Sequence, residues 1–142
     1  MNMTRSQEVT HVLLRVASGL MFMEHGGQKL LGWFGGVGGG SAPLASKMGF
    51  AGILELVGGL LIALGLFTRP VAFLLSGEMA VAYFTAHQPN GMWPIQNRGE
   101  LAALYAFVFL FFAAHGAGAF SLDALFQRRR SAIAEPRPAH AH

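Results

Sequence analysis

Four apolar stretches run along the chain, and each carries one glutamate: Glu24, Glu55, Glu78 and Glu100. The first predicted helix extends from about Val9 to Leu31 and the second from about Met48 to Phe67. The third covers about Pro70 to Ala86, and the fourth about Gly99 to His115. Apolar segments of about 17–25 residues are long enough to cross a bilayer. A carboxylate at lipid depth is costly and marks a functional-site hypothesis by default. One per helix points to side chains that face a shared bundle interior.

The breaks between helices have local causes. Gly32 to Lys47 holds the run Phe34-Gly35-Gly36-Val37-Gly38-Gly39-Gly40-Ser41, which is too rich in glycine to stay helical. Thr68-Arg69-Pro70 predicts a tight turn, with Pro70 suited to the first turn of the next helix. Pro89-Asn90-Gly91 and Pro94 punctuate a second long loop, His87 to Arg98. Gly116 and Gly118 close the fourth helix. Phe120 to Gln127 then reads as a short interfacial helix with Ser121 as N-cap, followed by Arg128-Arg129-Arg130 at lipid headgroups. Ser131 to His142 reads as a disordered tail, with His140 and His142 belonging to its composition and not to a metal site. The expected division is therefore an N-terminal segment over 1–8, a four-helix membrane domain over 9–119, an interfacial helix and basic stop over 120–130, and a tail over 131–142. A cleaved leader fits poorly. No A-x-A-like site follows Val16–Met23, and Glu24-His25 would sit there instead.

Composition agrees with lipid as the solvent. The 142 residues suffice for one domain, and 53% are hydrophobic against 12% charged, where soluble domains carry roughly 25% charged residues. The net charge is +3, but most basic residues flank apolar runs, as membrane anchors do. No aromatic-basic groove for single strands is visible, so nucleic acid is not an expected partner. The chain has no cysteine, which excludes disulfides, thiol catalysis and Cys-ligated clusters within it. Four spans would put Arg5, Arg69, Arg128, Arg129, Arg130 and Arg137 on one side, against Lys47, Arg98 and the helix-end Lys29 on the other. The positive-inside rule then places both termini in the cytoplasm.

In that arrangement His25, Lys29, Glu55, His87, Asn97 and Glu100 lie toward the outer ends of their helices, Glu78 nearer mid-membrane and Arg15 on the inner half. Arg15, His25 and Lys29 share one broad helical face, from which Glu24 points away. Several readings follow. Buried ion pairs of Glu55, Glu78 and Glu100 with Arg15, Lys29 and Arg98 would fix helix register without chemistry. A carboxylate-histidine metal centre lacks the Glu-x-x-His spacing of di-iron bundles, and no metal site is expected. Haem between His25 and His87 is geometrically possible. A quinone or small-solute pocket would use His, Lys and Glu as proton handlers, with Trp33, Trp93, Tyr83 and Tyr105 as candidate lining.

Several short segments resemble the DoxX family of small four-helix membrane proteins. They are Leu14-Arg15-Val16-Ala17, His25-Gly26-Gly27-Gln28-Lys29-Leu30, Glu55-Leu56-Val57-Gly58-Gly59 and Gly65-Leu66-Phe67-Thr68-Arg69. Met79-Ala80-Val81-Ala82-Tyr83, His87, Asn97-Arg98-Gly99-Glu100-Leu101, Tyr105 and Phe120-Ser121-Leu122-Asp123 continue the match. The resemblance spans about Leu13 to Asp123 and implies an integral protein of a bacterial-type inner membrane. It also implies a link to membrane redox complexes, since the family name comes from a small subunit of a thiosulfate:quinone oxidoreductase. Its polar pattern falls on Arg15, His25, Lys29, Glu55, Arg69, His87, Asn97 and Glu100, and not on Glu24 or Glu78.

The expectation is therefore an all-α, four-helix transmembrane bundle that acts as an accessory or quinone-proximal component of a redox system. Its candidate site is His25, Lys29, Glu55 and Glu100, supported by Arg15, Arg69, His87 and Asn97. His25 and Glu100 would exchange protons, Lys29 would offset bound negative charge, and Glu55 would orient a partner. Quinone is the expected diffusible substrate; the lipid bilayer, a redox subunit and a second copy of the chain are the expected partners. A small-solute transporter or channel and a non-catalytic scaffold are the competing roles.

Overall fold

The computed structural model describes residues 4–134. Among them the protein is all-α, with six α-helices and no strand, as the apolar pattern predicts. They are α1 (Arg5–Leu31), α2 (Lys47–Leu64), α3 (Thr68–Ala82), α4 (Pro94–Asn97), α5 (Glu100–His115) and α6 (Leu122–Ala134).

The boundaries differ from the hydropathy pattern where capping decides them. α1 begins at Arg5, four residues before the expected Val9, so part of the segment expected over 1–8 is helical. Thr4 Oγ1 accepts the Gln7 N–H at 3.4 Å while Gln7 Oε1 accepts the Thr4 N–H at 2.8 Å. This reciprocal cap satisfies helix-end donors in a polar turn that carries no hydrophobic signal. α2 stops at Leu64, short of Phe67, because Gly65 (φ 68°) and Phe67 (φ 48°) are left-handed. Thr68-Arg69-Pro70, expected as a tight turn, are instead the first turn of α3, the reversal falling at the left-handed Gly65 and Phe67, and α3 widens into a π-type turn over Tyr83–His87. The loop expected over His87 to Arg98 holds the short helix α4. Ser121 caps α6 as expected, its Oγ accepting the Ala124 N–H at 3.1 Å. α6 runs on to Ala134, so Ser131–Ala134 are helical and not the start of a tail. His140 and His142 lie outside the described residues.

Two helix pairs make the core. α1 packs on α2 along small residues: a Cβ on Gly19 would stand 2.7 Å from the Gly59 carbonyl oxygen, and one on Gly59 would stand 2.6 Å from that of Gly19. Only hydrogen at these positions lets the two backbones touch. α3 packs on α5 through Ala72, Leu75 and Met79 against Ala102, Tyr105, Phe109 and Phe112. Ser76 Oγ donates to the Ala106 carbonyl at 2.8 Å across this pair. α1 reaches α5 through Phe22, whose ring centroid is 4.8 Å from Phe109 and 5.1 Å from Tyr105. By length and composition, α2, with 18 residues and mean hydropathy 1.8, is the described helix long and apolar enough to cross a membrane. α5 is apolar but shorter at 16 residues, and α1 is long enough but carries Arg15, Glu24 and Lys29.

Candidate functional site

The α1–α2 seam brings the first charged group together. Lys29, in the last turn of α1, donates to Glu55 Oε1 from α2, and among the described residues this is the one ion pair. Glu55 is 2% exposed and its Oε2 has no partner. Leu75 of α3 packs on Gly58 of α2, so Glu78, one turn further along α3, lies level with Glu55, one turn back along the antiparallel α2, and both Glu78 oxygens are buried without a partner. The structure thus adds Glu78 to the site, although the family pattern passes over it. The group is one ion pair with a second, unpartnered carboxylate on the neighbouring helix.

Beside it, the gap between α1 and α5 forms an open groove of about 380 Å³. Leu14, Ala17 and Met21 of α1 and Leu101, Leu104 and Val108 of α5 give it apolar walls. Glu24, His25, Gln28 and Tyr105 supply its polar groups. The His25 ring stands edge-on to Tyr105, with centroids 6.2 Å apart. His25 also precedes Lys29 by four residues on α1, so the two side chains share one face of that helix. It therefore connects the groove to the buried ion pair.

Glu100 does not join this group. It is exposed at the start of α5, and among the described residues its carboxylate has no hydrogen-bond or ion-pair partner. The four-residue cluster expected from the sequence becomes His25, Lys29, Glu55 and Glu78. The expected pairing of Arg15 with a glutamate is replaced by backbone contacts. Arg15 is 2% exposed; its Nη1 donates to the Ile62 carbonyl at 3.2 Å and its Nη2 to that of Phe120 at 2.7 Å. It thereby neutralises the carbonyl end of α2 and ties it to the chain entering α6. Arg69 is exposed, with Nη2 3.5 Å from the His115 carbonyl.

His87 and Asn97 organise the second long loop. His87 Nδ1 donates to the Asn97 carbonyl at 3.2 Å. Asn97 is buried; its Nδ2 donates to Gly91 O at 2.9 Å and to the Tyr83 hydroxyl at 3.3 Å, while its Oδ1 accepts the Gly99 N–H at 2.8 Å. With these partners both side chains have structural roles. Trp33 packs over Gly27, and Trp93 is exposed; neither lines the groove.

The sequence model of DoxX matches residues 10–88 of the chain. An uncharacterized protein of Haemophilus influenzae (strain ATCC 51907 / DSM 11121 / KW20 / Rd) is 45% identical over 120 residues, which cover 82% of this chain and 90% of that protein. The chain belongs to the DoxX family. A protein of Bacillus subtilis (strain 168) named "Putative oxidoreductase CatD" is 38% identical over 85 residues, 58% of this chain and 63% of that one. No solved structure matches. Membership in DoxX makes this a membrane protein.

Two residues of this DoxX protein escaped sequence reasoning. His11 is buried one turn before Arg15 on the same face, and its Nε2 donates to the Gly116 carbonyl at 3.0 Å. Its position four residues from Arg15 is the signal that would have found it. Asp123 was visible as part of a motif, but its role was not. Its carboxylate caps α3, a helix that begins 55 residues earlier in the chain.

Proposed function

We propose that this DoxX protein is a multi-pass plasma-membrane component of a redox system and that the α1–α5 groove receives the head group of a quinone. The observation that carries this reading is the groove itself. Apolar walls lead to His25, Tyr105 and Glu24, which matches a ligand with a lipid-soluble tail and a head that gains protons with electrons. His25 is the proton handler in this reading, with Glu55 behind it. The oxidoreductase name of the Bacillus relative is compatible with such a role.

The span assignment rests on the outer surface. Phe73, Leu74, Val81, Leu104 and Phe107 are 60–71% exposed, a density of large apolar groups that suits lipid and not water. α3 continues through its π-type turn to His87, which lengthens it toward a full span. Arg69 and Arg128-Arg129-Arg130 favour cytoplasmic placement of the α2–α3 turn and of α6.

A photoreactive quinone analogue tests the reading on the full chain in lipid nanodiscs. Expected are adducts on α1 and α5 peptides that excess unlabelled quinone suppresses, weakened by His25→Ala. Adducts that do not compete, or that map elsewhere, would leave solute transport or a scaffold role as the better account.

A further inference from the structure

The group behind the groove is unbalanced in charge. Glu55 spends Oε1 on Lys29 and leaves Oε2 without a partner, and both oxygens of Glu78 are buried and unpartnered. The titratable groups facing Glu78 come from α2 and α1: Leu75 packs on Gly58, which sets Glu78 level with Glu55 across the antiparallel α2–α3 pair, while Lys29 holds Glu55 and His25 stands one turn before Lys29. With a neutral imidazole at His25, two ionised carboxylates on one ammonium would leave a net negative charge in an apolar interior, an arrangement that desolvation opposes. A bound cation would restore balance. Among the described residues, however, no group of three or more His, Asp or Glu side chains is placed to hold a metal ion. A proton restores it without further ligands. Glu55 holds the ammonium directly, so the neutral carboxyl is Glu78.

We propose that Glu78 is a proton-binding site completed by Lys29 and Glu55, a store one step behind His25. Only its link to the groove rests on the quinone reading, because protonation of Glu78 needs no quinone. Neutral Glu78 leaves Lys29 and Glu55 as a balanced pair. Removing the Glu55 charge frees Lys29 to pair with Glu78, which then gives up its proton.

Infrared difference spectroscopy of the reconstituted full chain tests this. At neutral pH the wild type should show a carboxylic-acid carbonyl band that shifts in D2O and disappears as the pH is raised. Glu78→Gln should remove it, and Glu55→Gln should remove it as well. A wild type without the band at any pH overturns the proposal, as does a band kept in Glu78→Gln. A band kept in Glu55→Gln overturns the shared-charge site, since burial alone would then protonate Glu78. Should a glutamine variant fail to fold by circular dichroism, wild-type protein decides the question through mapping with a hydrophobic carbodiimide, which modifies protonated carboxyls. Adducts are expected on Glu78 and not on Glu55; the reverse, or neither, overturns the assignment. Failure of quinone crosslinking with these results intact would sink the groove reading alone.

Discussion

Asp123 caps the helix that starts at Thr68. Its Oδ2 accepts the Thr68 N–H at 2.9 Å and its Oδ1 the Phe67 N–H at 2.8 Å, while its own N–H donates to the Gly65 carbonyl at 2.9 Å. The carboxylate satisfies two N–H groups at a helix start and sits at the positive end of the helix dipole. Replacing it by alanine should cost about 1 kcal/mol of stability, and asparagine less, because an amide keeps one acceptor. Unfolding of the reconstituted protein by denaturing detergent measures the difference. Equal stability of wild type and Asp123→Ala would remove the cap from the account.

Arg15→Lys should behave as a damaging change. The guanidinium reaches Ile62 and Phe120 with separate nitrogens, and an ammonium has no planar fork to span both. Loss of one such charge-assisted bond costs about 1.5–3 kcal/mol. Gly65, whose φ of 68° already favours glycine, lies against this guanidinium. Hydrogen exchange should quicken at the end of α2 and in the chain leading to α6, and unchanged protection there would contradict the tie.

The α1–α2 seam predicts a sharp contrast between two glycine-to-alanine changes. In Gly59→Ala the new methyl meets the Gly19 carbonyl oxygen at 2.6 Å, and overpacking of this kind costs about 1–3 kcal/mol. At Gly77 a Cβ meets nothing within 4 Å, and alanine gains about 1 kcal/mol in helix propensity. Thermal midpoints should therefore move in opposite directions. A shift of the same sign in both variants would refute the close approach of the backbones.

Lys29→Met should destabilise the fold by about 3–5 kcal/mol, because it leaves Glu55 as a buried carboxylate without its partner, whereas Glu55→Gln should cost less, because Glu78 takes up the freed ammonium. The Lys29→Met/Glu55→Leu double variant, which buries no orphan charge, should be milder than the sum of its parts. A double-mutant cycle with strictly additive losses would show that the pair is not coupled in the folded protein.

Much of the fold was legible because burial is periodic. The four long helices, the glycine-rich break after Leu31 and the place of Pro70 in the first turn of its helix all follow from apolar runs and local backbone preferences, whereas the chain reversal falls at Gly65–Phe67 and not at Thr68-Arg69-Pro70. Helix starts were less legible. Thr4 and Gln7 cap α1 across a polar turn, and Asp123 caps α3 from a distant helix, so neither boundary has a local hydrophobic signal. The candidate site was half legible. Lys29 and Glu55 stood out as charges in apolar helices, and they meet.

Sequence alone determined the all-α class, the membrane as solvent and membership in DoxX, since each depends on residue type and order along the chain. Tertiary structure alone decided which charges meet. The glycine seam draws Lys29 onto Glu55, the packing of Leu75 on Gly58 sets Glu78 level with Glu55, and Glu100 is left exposed at the start of α5. Helical phase gives each side chain a direction on its own helix, but its partner depends on how the helices pack against one another.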